Sequence, residues 1–207
     1  MTSPDQPSEP TYADRVYRST ASLVSGGLLL ALLLWICGDA VVRGSGRTPW
    51  IALAAALTLA PLIVAYTLRP AVFANDDRLR VRNPFRTIEL PWAVVDVVRA
   101  RFSVEALAGD ATYQLWAIPV SLRQRKSAQR RNAKRKAAGE APVAGETEEI
   151  SRSDADRQVA ELSEVHERAV ATRRPGAQGE AAVRWAYEII APAVAGAVLL
   201  AVLFATG

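Results

Sequence analysis

Two apolar stretches near the start of the sequence decide its class: Ala21 to Val42, ASLVSGGLLLALLLWICGDAVV, and Trp50 to Leu68, WIALAAALTLAPLIVAYTL. Each has about twenty residues, enough for a helix to cross a hydrocarbon core about 30 Å thick. A helix also satisfies its own backbone hydrogen bonds, as lipid requires. The two stretches therefore predict an N-terminal transmembrane helix hairpin at 21–42 and 50–68.

A third apolar segment, WAYEIIAPAVAGAVLLAVLFA, covers residues 185–205 near the C-terminus. Glu188 and Pro192 lie in its first turns, so its strictly apolar part is at the short limit for a span. Trp185 and Tyr187 suit the headgroup level of a membrane. We predict a third transmembrane helix. An interfacial helix is the alternative, but apolar residues on every face of the segment argue against it.

Cationic residues next to the spans predict the orientation, because Lys and Arg are enriched on the cytoplasmic side. The short link between the first two spans has only Arg43 and Arg47. Many more arginines lie next to the other span ends: Arg15, Arg18, Arg69, Arg78, Arg80, Arg82, Arg86, Arg173, Arg174 and Arg184. We therefore expect a multi-pass protein of the cell membrane, with a disordered tail (1–20) and the middle of the chain cytoplasmic and the C-terminus outside.

Between the second and third spans, the pattern changes from helical to alternating. In Arg78-Leu79-Arg80-Val81-Arg82, apolar and basic residues alternate, which is typical of a half-buried strand. Asn83-Pro84, Pro91-Trp92 and Gly109-Asp110 are turn signals between further short strands. Residues 69–122 are thus predicted to form a small antiparallel barrel or sandwich, and the whole chain to be an α+β membrane protein.

The motif residues of this segment carry a family resemblance. Arg82, Asn83, Pro84, Phe85, Pro91, Trp92 and Trp116 are its main members. With them, the segment resembles the bacterial pleckstrin-homology (PH) domains of actinobacterial membrane proteins of the low molecular weight protein antigen type, in which two membrane helices precede the domain. The resemblance implies a PH-like barrel; it does not imply phosphoinositide binding. We expect the motif to be mainly structural, with Phe85, Trp92, Trp116 and Ile118 in the barrel core.

A helix is predicted at 151–174, because Val159, Leu162, Val165, Ala169 and Val170 recur at helical spacing. The resemblance implies that this amphipathic helix closes the barrel. His166 is expected to be solvated on its polar side.

A linker, first basic and then acidic, is predicted at 123–150. Its basic arm has eight cations: Arg123, Arg125, Lys126, Arg130, Arg131, Lys134, Arg135 and Lys136. The arm either contacts anionic lipid, at about 1 kcal/mol per cation near the surface, or is a solvated linker neutralised by the acids after it. Nucleic acid is the least favoured partner, because the arm has no aromatic residue for stacking.

Small residues indicate where the predicted helices contact one another. Ala52, Ala56 and Ala60 line one face of the second helix, Ser22 and Gly26 form a notch on the first, and Ala193 and Ala197 lie on the third. Such faces also suit self-association through the helices.

The sequence offers no candidate catalytic residues, cofactor site or metal site. It has one cysteine, Cys37, and one histidine, and it lacks a Gly-rich phosphate loop. We therefore expect a non-catalytic, membrane-anchored interaction module with the bilayer and an unidentified protein as partners. The alternative is a small integral-membrane accessory subunit whose helices recognise a membrane partner.

Overall fold

The computed structural model describes residues 14–100, 102–118 and 154–206. The basic arm and the rest of the 123–150 linker lie outside these residues. In the described part the chain is α+β, with two antiparallel sheets and four α-helices.

Three helices among the described residues are long and apolar enough to cross a membrane, as predicted. They are α1 (Thr20–Arg43), α2 (Thr48–Ile63), which continues as a π-helical turn over Val64–Leu68, and α4 (Tyr187–Ala205). Helix α2 lies between α1 and α4 and packs against both. The Ser19 side chain caps α1 by accepting a hydrogen bond from the Ser22 backbone N–H.

Glycines provide the close contacts between these helices. A Cβ atom at Gly26 of α1 would overlap Thr67, and one at Gly196 of α4 would overlap Thr58 of α2. The predicted notch of Ser22 and Gly26 is confirmed, because the Ser22 hydroxyl also donates to the Thr67 carbonyl over 3.1 Å.

The contact predicted for Ala197 of α4 is wrong, since this residue is exposed. The buried stripe of α4 runs through Ile189, Ala193 and Gly196. These positions are four and then three residues apart, so Ala197 is rotated away from α2.

The larger sheet has five strands in the order β1-β2-β3-β4-β8. All neighbours are antiparallel. The strands are β1 (Arg15–Tyr17), β2 (Ala71–Ala74), β3 (Arg78–Arg82), β4 (Arg86–Pro91) and β8 (Ala182–Trp185). Strand β3 alternates as predicted: Leu79 and Val81 are buried and its arginines face outward.

The smaller sheet has three antiparallel strands, β5 (Val97–Ala100), β6 (Val104–Ala108) and β7 (Ala111–Gln114). A short 3₁₀ helix, Trp92–Val94, connects the two sheets. The Gly109-Asp110 turn joins β6 to β7, and Gly109 has a φ of 56°, a conformation that glycine adopts without strain.

Helix α3 (Asp154–Thr172) closes the core between the two sheets. Leu162, Val165 and Ala169 are buried there, as the periodicity predicted. Val170 was expected on the same face but is 50% exposed, because it follows Ala169 by one residue, about 100° around the helix.

The expectation for His166 of α3 is also wrong. Its ring lies 5.6 Å from the Trp92 ring, and its Nε2 atom is buried with no hydrogen-bond partner among the described residues. Trp92 sits directly under the helix, so the face that looked polar in the sequence is partly covered.

Two strands of the larger sheet come from sequence for which no strand was predicted. Strand β1 precedes α1 and lies within residues 1–20, which were expected to be a disordered tail; β8 precedes α4. Each forms one edge of the sheet. Tyr17 at the end of β1 pairs with Val72 near the start of β2, and Trp185 at the end of β8 pairs with Arg86 at the start of β4. All three connections to the apolar helices therefore lie at the same end of the sheet, called here the helix end.

Candidate functional site at the helix end of the sheet

An aromatic cluster joins the domain to the apolar helices. The Tyr66 ring, in the π-helical turn, lies edge-on to the Phe85 ring at 5.4 Å and lies 5.9 Å from the Trp116 ring. Phe85 packs on the buried Ala65 and Ala186, and its carbonyl accepts a hydrogen bond from the Ala186 N–H over 2.8 Å. The β3–β4 turn is thus held between α2 and α4, and the domain is fixed against the helices.

Two of the four motif-region residues that were predicted to lie in the barrel core belong elsewhere. Trp92 and Ile118 are buried in the core of the two sheets, as expected. Phe85 instead belongs to the small cluster at the helices, and Trp116 is 48% exposed. Both lie beyond the ends of strands, where the domain meets the helices, so size and spacing alone could not place them.

Asn83 connects the two sheets at the same end. It is 3% exposed, and its side-chain amide donates to the Gln114 carbonyl over 2.9 Å. Its side-chain oxygen accepts from the Trp116 backbone N–H over 3.4 Å, and its own N–H donates to the Arg86 carbonyl over 2.9 Å. With Pro84, which is also buried, it forms the turn that the sequence predicted.

Arg69 is the first charged residue after the π-helical turn, and it has three partners. Its Nε donates to the Asn83 carbonyl over 3.2 Å, one terminal nitrogen to Thr87 Oγ1 over 3.2 Å, and the other forms an ion pair with Glu188 over 2.8 Å. Since Glu188 lies in the first turn of α4, Arg69 connects β3, β4 and α4.

A pocket of about 450 Å³ opens on the outer face of the larger sheet beside Arg69. Four arginines, two glutamates, a threonine and a tryptophan line it: Arg69, Arg80, Arg82, Arg184, Glu89, Glu188, Thr87 and Trp185. We call it the arginine pocket. Four cations and two anions leave its lining with a net positive charge.

Most of the charges around the pocket have partners within the chain. Arg80 pairs with Asp14 over 3.1 Å, and Glu89 with Arg78 over 3.4 Å. The Arg82 side chain has no hydrogen bond or ion pair to any described residue. Its guanidinium lies over the Phe73 ring, 5.1 Å from the centroid, a cation–π contact shared with Arg80 at 4.6 Å.

The electrostatic environment of Arg82 reflects this crowding of cations. Burial is the largest cause that lowers the pKa of Arg82, and the charges of Arg80, Arg69 and Arg18 lower it further. An arginine stays charged at neutral pH nonetheless. Arginine side chains offer forked hydrogen-bond donors to carboxylate and phosphate groups, so the lining of the pocket suits an anion.

The structure brings together only part of the predicted site. Of the motif, Arg82 lines the pocket, and Asn83, Pro84 and Phe85 form the turn beside it; Pro91 and Trp92 lie toward the opposite end of the sheet. The eight cations of the basic arm lie outside the described residues. Among those residues, no group of three or more His, Cys, Asp or Glu side chains could hold a metal ion.

Sequence reasoning did not assign Arg69, Thr87 or Arg184 to a site. Arg69 and Arg184 were used only as topology signals, although their places next to predicted spans already predicted a position near a membrane surface for both. Thr87 gave no signal, since its role depends on lying directly opposite Arg82 and Arg184 in the sheet.

Comparison with known families supports the domain assignment. The family model described as Bacterial PH domain matches residues 69–142. This match confirms the resemblance to bacterial PH domains, without the narrower actinobacterial antigen type. No curated protein and no solved structure matches the chain.

Proposed function

We propose that this protein is a non-catalytic, membrane-anchored module that holds a PH-like domain at the cytoplasmic face of the cell membrane for a protein partner. In this proposal α1, α2 with its π-helical turn, and α4 span the bilayer. The N-terminus and the domain are cytoplasmic, and the α1–α2 link and the C-terminus are outside.

The observation that carries the proposal is the common position of the three chain connections. Strands β1, β2 and β8 all meet the apolar helices at the helix end of one sheet, where Tyr66, Phe85 and Ala186 pack together. A domain attached at three points has a fixed orientation to its anchor. A fixed orientation suits a module that presents one surface to a partner beside the membrane.

The surface that we propose for the partner is the open edge of the smaller sheet. Strand β7 pairs with β6 on one side, and no described strand pairs with its other side. Thr112 and Gln114 of β7 are exposed. An extended peptide can add to such an edge through main-chain hydrogen bonds. The Gln114 carbonyl already accepts a hydrogen bond from the Asn83 side chain, so the peptide would pair beside Thr112.

Cysteine labelling of intact cells tests the orientation. In a Cys37→Ala background, the chain carries a single cysteine either at Ser45, in the α1–α2 link, or at Asp110, in the β6–β7 turn; both positions are exposed. A membrane-impermeant maleimide should label S45C on intact cells and D110C only after permeabilisation. The reverse pattern, or labelling of both on intact cells, would refute the cytoplasmic domain.

Site-specific photo-crosslinking in the full-length chain tests where the partner binds. A crosslinker at Thr112 of β7 should capture one discrete protein. The alternative, an accessory subunit recognised through its helices, is favoured by the exposed face of α1, where Leu34 is 68% and Trp35 78% exposed. Capture from Leu34 and not from Thr112 would support the accessory subunit and contradict the module.

A further inference from the structure

We propose that the arginine pocket binds the phosphate of an anionic lipid headgroup. Arg82, Arg184 and Thr87 are the binding residues, and Arg69 positions Thr87. The proposal extends the proposed function and rests on it in one respect: the position of the pocket at headgroup level assumes that α4 spans the bilayer. It concerns a site other than the basic arm.

The first argument is uncompensated charge. Glu188 pairs with Arg69, Asp14 with Arg80, and Arg78 with Glu89. Neither Arg82 nor Arg184 has a hydrogen bond or ion pair from its side chain to any described residue. Two guanidinium groups facing one concave space thus lack an anion, and a phosphate offers both the charge and the oxygens for forked hydrogen bonds.

The second argument is the register of the sheet. Arg82 lies directly opposite Thr87, and Thr87 lies directly opposite Arg184. Neighbouring strands are about 4.8 Å apart, so the two arginines stand about 10 Å apart with the threonine between them. The Arg82 guanidinium rests over the Phe73 ring of β2, so it must turn toward β4 to meet Arg184 at one phosphate above Thr87.

The third argument is the state of the Thr87 hydroxyl. Its oxygen accepts a hydrogen bond from the Arg69 terminal nitrogen over 3.2 Å. Its proton has no acceptor among the described residues, so the hydroxyl can donate to a phosphate oxygen. Since Arg69 is itself held by Glu188 and the Asn83 carbonyl, it fixes Thr87 without having to change partner.

The fourth argument is the position of the pocket relative to the bilayer, and it favours a lipid over a dissolved anion. Trp185 and Glu188 line the pocket and belong to the end of β8 and the first turn of α4. Trp185 and the following Tyr187 are exposed aromatic residues of the kind that sit at headgroup level. If α4 spans the bilayer, the pocket opens where lipid phosphates are concentrated.

Native mass spectrometry of the full-length protein in mild detergent tests the proposal. Phosphatidylglycerol and phosphatidylcholine are added at equal concentration, and the bound lipids are counted. The wild type should retain phosphatidylglycerol preferentially. In the R82Q/R184Q double variant, the apparent affinity for phosphatidylglycerol should fall on the order of tenfold, because each cation near an anionic surface strengthens binding several-fold.

The matched control is R168Q/R173Q, which removes two exposed arginines from α3 and its C-terminal end. This control should bind phosphatidylglycerol as the wild type does. R82K/R184K keeps the charges but loses the forked geometry, so an intermediate affinity is expected. An equal melting temperature for all four proteins shows that the variants fold.

Two results would overturn the proposal. One is phosphatidylglycerol binding that is equal in R82Q/R184Q and in the wild type. The other is competition by inorganic phosphate at the pocket with no preference between the two lipids, which would identify a dissolved anion as the ligand. Membrane orientation is measured separately by the cysteine labelling, so failure of one experiment does not decide the other.

Discussion

The larger sheet has two ends whose charged side chains are partnered differently. At the end away from the apolar helices, the β2–β3 turn carries Asp76 and Asp77. Both form ion pairs with Arg174, which follows α3, over 3.2 and 3.1 Å. At the helix end, Arg82 and Arg184 have no acidic partner among the described residues. Charge at the far end thus stabilises the fold. At the helix end the Arg69–Glu188 pair does the same, but two further arginines remain for the anion that we propose.

The far end is also tied to the core through Trp92. Its indole N–H donates to the Asn75 carbonyl over 2.6 Å, and its backbone N–H donates to the Asp77 carbonyl over 3.2 Å. The Asn75 side-chain oxygen in turn accepts from the N–H groups of Asp77 and Arg78. The acidic turn, the tryptophan and helix α3 therefore form one structural unit.

The largest effect is expected for Trp92→Ala, which removes a fully buried ring and the hydrogen bond to Asn75. The free energy of unfolding should fall by about 3–5 kcal/mol. Pulse proteolysis of the detergent-solubilised chain across a urea series measures it. Trp116→Ala, at the half-exposed tryptophan of the helix end, is the control and should cost much less. Equal losses would mean that the two ends contribute alike to the stability of the domain.

A smaller effect, different at the two ends, is expected for paired arginine substitutions. Arg174→Gln leaves Asp76 and Asp77 without this partner, and their partial exposure limits the loss to about 1 kcal/mol. Arg82→Gln relieves repulsion among cations but loses the cation–π contact with Phe73, so in lipid-free detergent the unfolding free energy should change less than for Arg174→Gln. The same proteolysis assay compares them. A loss for Arg82→Gln as large as that for Arg174→Gln would remove the contrast.

The last effect develops only in alkaline solution, so it is the smallest near neutral pH. It concerns Tyr17, which ties β1 to the core by donating to Glu161 of α3 over 3.0 Å. Burial, reinforced by Glu161, raises the pKa of Tyr17 to about 12. Because the folded-state pKa lies above the unfolded value of about 10, the stabilisation is complete below pH 10 and is lost as the pH rises from about 10 to 12.

Tyrosinate absorbance of the full chain measures this titration. The difference between the wild type and Tyr17→Phe should show one tyrosine ionising near pH 12 rather than near 10. A difference titrating near pH 10 would show that β1 is not held against α3 in solution.

The sequence was sufficient to predict the three apolar helices, the alternation of β3, the turn at Asn83-Pro84 and the burial of Trp92, because each depends on local periodicity or turn chemistry. Strands β1 and β8 were missed, since three or four residues next to an apolar helix carry too little pattern of their own. The domain boundaries at 69–122 stay a prediction, although the larger sheet takes strands from both sides of that segment.

The candidate site was harder to predict than the fold. The arginines on the outer face of β3 were visible as a pattern, but their meaning depended on which residues lie opposite them. Thr87 and Arg184 are nearly a hundred positions apart in the chain and become neighbours only through the β4–β8 pairing. A single sequence gives no register for such a distant pair.

The place of β1 has a consequence for engineering the molecule. Strands β1 and β2 are antiparallel neighbours, with Tyr17 directly opposite Val72, and everything between them is the α1–α2 hairpin and its extension. In topology, the anchor is an insertion into an ordinary β-hairpin. A two-residue turn in place of 18–71, with the chain stopped after Trp185, would keep seven strands whole and all of β2 except Ala71. It would separate the PH-like domain from its apolar helices.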